Sequence, residues 1–161
     1  MPTFNPSTVI LTIDDEPMKG GNIIDPDIRA NIKSIRVRLA AATENQQAAI
    51  QEELRLAIED AQPVMTIGST IITTLVNALP DPDDKTRSRE ETISGEEKDD
   101  LSEMAIRIKK AMKESVTAIV KFNQKEIDII KKRVNRGYAN PLIVGRIFAE
   151  IKPDPKEEEA K

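Results

Sequence analysis

From Asp25 to Gln62 the apolar positions Ile28, Ile32, Ile35, Leu39, Ala42, Ala49, Ile50 and Ala57 begin by alternating steps of four and three. That spacing keeps one side of a helix apolar and sets up a heptad seam. Asp25 can cap the helix, Pro26 suits its first position, and Pro63 closes it. The pattern predicts one long helix from Pro26 to Gln62. Gln46 falls in the seam where the next apolar residue is due.

A second stripe runs through Leu101, Ala105, Ile108, Met112, Val116, Ile119, Val120, Ile127, Ile130 and Val134. It predicts a second long helix, capped by Asp100 or Ser102 and stopped at Gly137. Asn123 lies in the middle of that stripe. Its opposite side carries Arg107, Lys110, Lys113, Lys121, Lys125, Lys132 and Arg136.

Two shorter helices follow from the same reasoning. Residues 61–80 carry no charge, and from 64 to 79 the hydroxyl and aliphatic residues separate cleanly at helical spacing. Asn140 and Pro141 open a last helix, in which Ile143, Ile147 and Ile151 share a face and Pro153 lies beyond the end. Near the N-terminus the run Thr8–Ile13 reads as one strand or small hairpin, turned by Asp14, Asp15 and Pro17. Val9, Ile10, Leu11 and Ile13 are its pairing residues. A lone hairpin is marginal in water, so this arm is expected to pack on the protein or pair with a neighbouring chain.

The fold class expected is therefore mostly α: an elongated helical bundle of two long and two short helices with a small N-terminal β arm. The chain divides by pattern into the arm and hinge (1–25), the first long and the uncharged helix (26–79), an acidic connector (80–100), the basic-backed and last helices (101–151) and an acidic tail (152–161). Gln46 and Asn123, polar marks in aliphatic seams, are expected to fix register or oligomer state. Ile28, Ile32, Ile35, Leu39, Ile119, Ile127 and Ile130 are the interface residues beside them.

Composition narrows the chemistry. Among 161 residues there is no Cys, no His and no Trp. Disulfides, thiolate nucleophiles and Cys or His metal ligands are excluded, along with the commonest general base. No Gly-rich phosphate loop or nucleophile elbow is present, and no cofactor or metal is expected. Glu126, at the stripe's edge, is read as half of an interhelical ion pair with Arg38 or a lysine. The first residues lack a basic stretch before an apolar run, so a signal peptide is not expected. The prolines, amides and hydroxyls of residues 61–80 argue against a membrane span.

Charge is segregated. Residues 81–103 hold ten acids and four bases, and residues 107–136 hold ten bases and three acids, yet the total is −4. Lys121, Lys125 and Lys132 are the candidates for phosphate contact. The acidic total and the lack of aromatics interleaved in the basic row argue against a nucleic-acid partner. The reading that remains is a non-enzymatic structural or assembly subunit, a homo-oligomer or part of a larger assembly of protein chains. If neighbours hold the acidic connector and tail, a virus or phage particle is a setting that suits it. A helical chaperone or regulator covering an apolar partner is the alternative, and a nucleic-acid-binding accessory protein comes third.

Overall fold

A computed structural model describes the chain except for residues 22, 24, 85, 87, 88 and 154–161. The described residues are mostly helical. In chain order they form β1 (Thr3–Phe4), α1 (Pro26–Ala41), α2 (Glu44–Ala61), α3 (Ile67–Val76), α4 (Gly95–Glu114), β2 (Val120–Lys121), α5 (Gln124–Gly137) and α6 (Pro141–Glu150). Two compact units result: Met1–Pro17 with Thr66–Lys161, and Met18–Met65. These units cut across the segments expected from pattern, because α3 joins the elements after it and the arm joins the larger unit. The expected tail, apart from residues 152 and 153, lies outside the described residues.

Each expected long helix is two elements. The first breaks at Ala42–Thr43, where Thr43 starts α2 with its backbone N–H and hydroxyl turned to the Gln46 Oε1. Gln46 is thus the third residue of a capping box and not a seam residue. The second breaks between Ser115 and Asn123. An unbroken helix would put Phe122 about 100° round from the middle of the stripe, at its edge toward the basic back. The break instead buries Phe122 completely and stacks it on Phe4, ring centroids 5.7 Å apart. Burying a phenylalanine is worth roughly 1.5–3 kcal/mol and the ring pair about 0.5–1.5 kcal/mol more. The loop that makes this turn leaves Val116 and Ile119 exposed at 76% and 61%. Ile119 is therefore not an interior interface residue. α4 also starts earlier than expected, with Ser94 accepting a hydrogen bond from the Glu97 N–H at 3.2 Å.

In the larger unit α3 packs on α4 and α5, and α5 on α6. Its core is Ile10, Ile67, Ile71, Leu75, Leu101, Ile108, Ile127, Ile130, Val134 and Ile147, closed by the two phenylalanines. The N-terminal segment is built into it. β1 pairs antiparallel with β2, Thr3 opposite Lys121 and Phe4 opposite Val120. Thr3 also exchanges two backbone hydrogen bonds with Lys152, at 3.1 and 2.9 Å. Further on, the Pro6 and Thr8 carbonyls accept from the Gly68 and Ile67 N–H groups at 2.8 and 2.9 Å, satisfying donors that a helix start leaves free. The approach is close: a Cβ on Gly68 would lie 2.8 Å from the Pro6 carbonyl oxygen.

The smaller unit is a helical hairpin. α1 begins where expected, Asp25 accepting from the Asp27 and Ile28 N–H groups at 2.9 and 3.2 Å. α1 packs on α2. The unit's two chain ends are tied together, Met65 N–H to the Met18 carbonyl at 2.7 Å and Gly20 N–H to the Pro63 carbonyl at 3.0 Å.

The segregated charge now has a local cause. Acids sit in the first turns of α1, α4 and α5 (Asp27; Glu96 and Glu97; Glu126) and bases in their last turns (Arg38, Lys113, Arg136). Each sign is placed where the helix dipole stabilises it.

Candidate functional site

The most enclosed polar chemistry lies where α3 ends. Arg133 on α5 is 4% exposed, and its Nε donates to the Thr74 carbonyl at 2.7 Å and its Nη2 to the Asn77 carbonyl at 3.1 Å. The same Nη2 is 2.8 Å from Glu91 Oε1, while Glu91 Oε2 takes Arg136 Nη1 at 2.7 Å. Arg136 Nη2 donates to the Pro80 carbonyl. Burial acts to raise the Glu91 carboxyl's pKa, but hydrogen bonds and charge from Arg136 and Arg133 outweigh it and hold the group below its usual value. The cluster ties the connector to α5, helped by Glu91 N–H to the Leu79 carbonyl at 2.8 Å and Asp81 N–H to the Arg89 carbonyl at 2.9 Å.

Beside it opens a cleft of about 400 Å³, lined by Thr73, Asn77, Asn135, Arg136 and Tyr138 among others. Burial pushes the Tyr138 phenol above its ordinary pKa, opposed by hydrogen bonds with Thr73 and Thr70. The guanidinium ends of Arg133 and Arg136 are already spent on carbonyls and on Glu91. Arg136 Nε has no hydrogen-bond partner among the described residues, but it is sealed from solvent. The arrangement neutralises a helix C-terminus and holds a loop.

The residues singled out by pattern separate into three groups. Ile127 and Ile130 are core of the larger unit, as is Ile10. Ile32 and Ile35 are buried in the hairpin unit, Leu39 is half-buried and Ile28 exposed. The polar marks are caps. Asn123 Oδ1 accepts from the Glu126 N–H at 2.9 Å, and Glu126 Oε2 accepts from the Asn123 N–H at 2.8 Å. Glu126 pairs with Arg107 at 2.6 Å, an interhelical pair as expected but with a different base.

The arm's residues find backbone partners in their own chain, since Val9 bridges to Thr66 and Leu11 to Pro17; Ile13 is exposed. The basic back is smaller than the pattern suggested. Arg107 lies over the Phe122 ring at 4.3 Å, and Arg136 turns inward to Glu91. Lys121, Lys125 and Lys132 remain exposed, but Lys121 stands on β2 and the other two on α5.

Pattern places Ile50 and Ala57 in the apolar seam but leaves out Leu54, Ile58 and Ala61, which complete the face that stands out in the smaller unit. α2 has 18 residues and none of them is buried. Ile50, Leu54, Ala57, Ile58 and Ala61 make its apolar side, and all five are only half-buried. At its C-terminal end the charges of α2 oppose its dipole. Its last turn has no base and carries Glu59 and Asp60. Arg55, its one base, is held by Glu52 and Glu59 at 2.8 and 2.7 Å. The signal was present in sequence, as five half-apolar positions at helical spacing closed by acids instead of bases.

No helix among the described residues is long and apolar enough to cross a membrane. Comparison of the chain with known protein families, curated proteins and solved structures finds no match.

Proposed function

We propose that this protein works by binding other protein chains through the α1–α2 hairpin, as an assembly subunit or adaptor and not as a catalyst. The observation that carries this reading is α2, an 18-residue helix without a buried residue. A helix in a protein draws most of its stability from packing its apolar face, and α1 covers that of α2 only in part. Here the half-buried side of Ile50, Leu54 and Ile58 is the face for a partner helix to cover. The larger unit, with its own core, serves as the body that carries the hairpin.

Ile58→Glu tests the reading. Ile58 lies about 140° round α2 from Glu53, the residue that meets Arg38 of α1, so the substitution falls at the far edge of the half-buried apolar side and spares the edge where Arg38 and Glu53 meet. Circular dichroism should change little, while association measured by sedimentation should be lost. Retained association would show that the hairpin face is not the contact surface.

A further inference from the structure

We infer that the occupant of this face is the hairpin of a second copy of the chain, the two together making a four-helix bundle. The inference rests on the binding role proposed for the hairpin and names its partner. Charge complementarity carries it. α1 has four bases and one acid, and α2 has five acids and one base. Within one hairpin these opposite charges meet across the helices at Arg38 and Glu53.

Arg38 marks the flank of α1 that faces α2. Arg29, Lys33 and Arg36 recur at steps of four and three, so they form a row on one flank. Arg36 and Arg38 are about 200° apart round the helix, which puts that row on the opposite side of the buried Ile32 and Ile35 from Arg38. A basic row on an open flank fits an acidic helix. The acidic helix this chain itself offers is α2, whose apolar side is half open and whose C-terminal turn lacks a cation.

A two-fold axis along the bundle meets both requirements at once. Each α1 then lies between its own α2 and the partner's α2, and like helices lie on the diagonals. All four neighbouring pairs are antiparallel and opposite in charge, as in bundles joined by short loops. The last turn of α2 comes beside the first half of the partner's α1, so Glu59, about 120° round from Glu53, approaches the partner's Arg29. The apolar sides of the two α2 helices meet at the axis.

Native mass measurement on the full chain and two charge-reversal variants tests this. One variant combines Arg29→Glu, Lys33→Glu and Arg36→Glu; the other combines Glu44→Lys and Glu59→Lys. The parent chain should be a dimer. Each variant alone should dimerise at least tenfold more weakly, and a 1:1 mixture should recover a heterodimer identified by its mass. Recovery in the mixture also shows that the variants fold. A monomeric parent, or variants that dimerise as the parent does, would overturn the inference.

Amide exchange on the parent separates that failure from failure of the broader reading. In a monomer, fast exchange in α2 beside slow exchange in α4 means the hairpin awaits a partner of another kind, and the binding role stands. Exchange in α2 as slow as in α4 means that the hairpin is stable alone and that both readings fail.

Discussion

Replacing Glu91 by glutamine removes one negative charge and leaves the shape of the side chain almost unchanged. The new amide would keep one carbonyl oxygen, enough to accept from one of the two arginines. Arg133, 4% exposed, would stay a cation with only the Thr74 and Asn77 carbonyls for company. Removing one partner of a buried pair costs about 3–5 kcal/mol. Arg136, at 20% exposed, can relax toward water, which favours the lower end. A loss of about 3 kcal/mol lowers the melting temperature by roughly 6–12 °C in a chain of this size.

The chain has one Tyr and no Trp, and Tyr138 borders the same cleft, so tyrosine fluorescence reports on this unit alone. Glu91 is depressed in the folded state. Its stabilisation is therefore complete above about pH 4.3, the unperturbed value, and is lost as pH falls through the folded value. The parent should show this acid-side loss and Glu91→Gln should lack that part of it. A variant within about 0.5 kcal/mol of the parent at neutral pH would refute the argument and mean that water already screens the cluster.

Three further outcomes follow from particular residues. Asn123→Ala should lower stability by about 0.5–2 kcal/mol in denaturant titration, as loss of an N-cap does, and Asn123→Asp should restore most of it. Gly68→Ala should destabilise by roughly 1–3 kcal/mol, because the new methyl meets the Pro6 backbone, and crystallographic or NMR comparison should show the N-terminal segment displaced. The raised Tyr138 contributes stability that is complete below about pH 10 and is lost as pH rises through its folded value; Tyr138→Phe should flatten that alkaline loss.

Most helical content was legible from spacing, and the caps Asp25 and Asn140 were named correctly because each stands directly before a proline. The two long helices were overdrawn for one shared reason. A seam tolerates a few odd residues, so spacing alone makes Gln46 and Asn123 exceptions within a helix, whereas each belongs to a cap that starts a new one. The stronger signal at Asn123 was Phe122 before it and Ile127 four residues after it, the positions of a hydrophobic staple. The Glu91 cluster could not be read, since its members come from the connector and from α5 and only the fold brings them together. The basic back was overestimated because helical spacing does not say which arginines find a buried carboxylate.

The placement of the hairpin also dictates an order of events. Asn5 and Val116 are 111 positions apart and share a hydrogen bond, and Thr3 waits for both Lys121 and Lys152. The hairpin, whose contacts are local, is made between the first strand and everything that strand will pair with. During synthesis residues 18–65 can therefore fold while the first seventeen residues remain without their sheet partners. Loop closure over such a span is slow compared with forming local helices. The nascent chain should thus display the α1–α2 hairpin before its own body is complete, and if the association proposed for that hairpin holds, two chains made side by side meet through it while β1 is still unpaired.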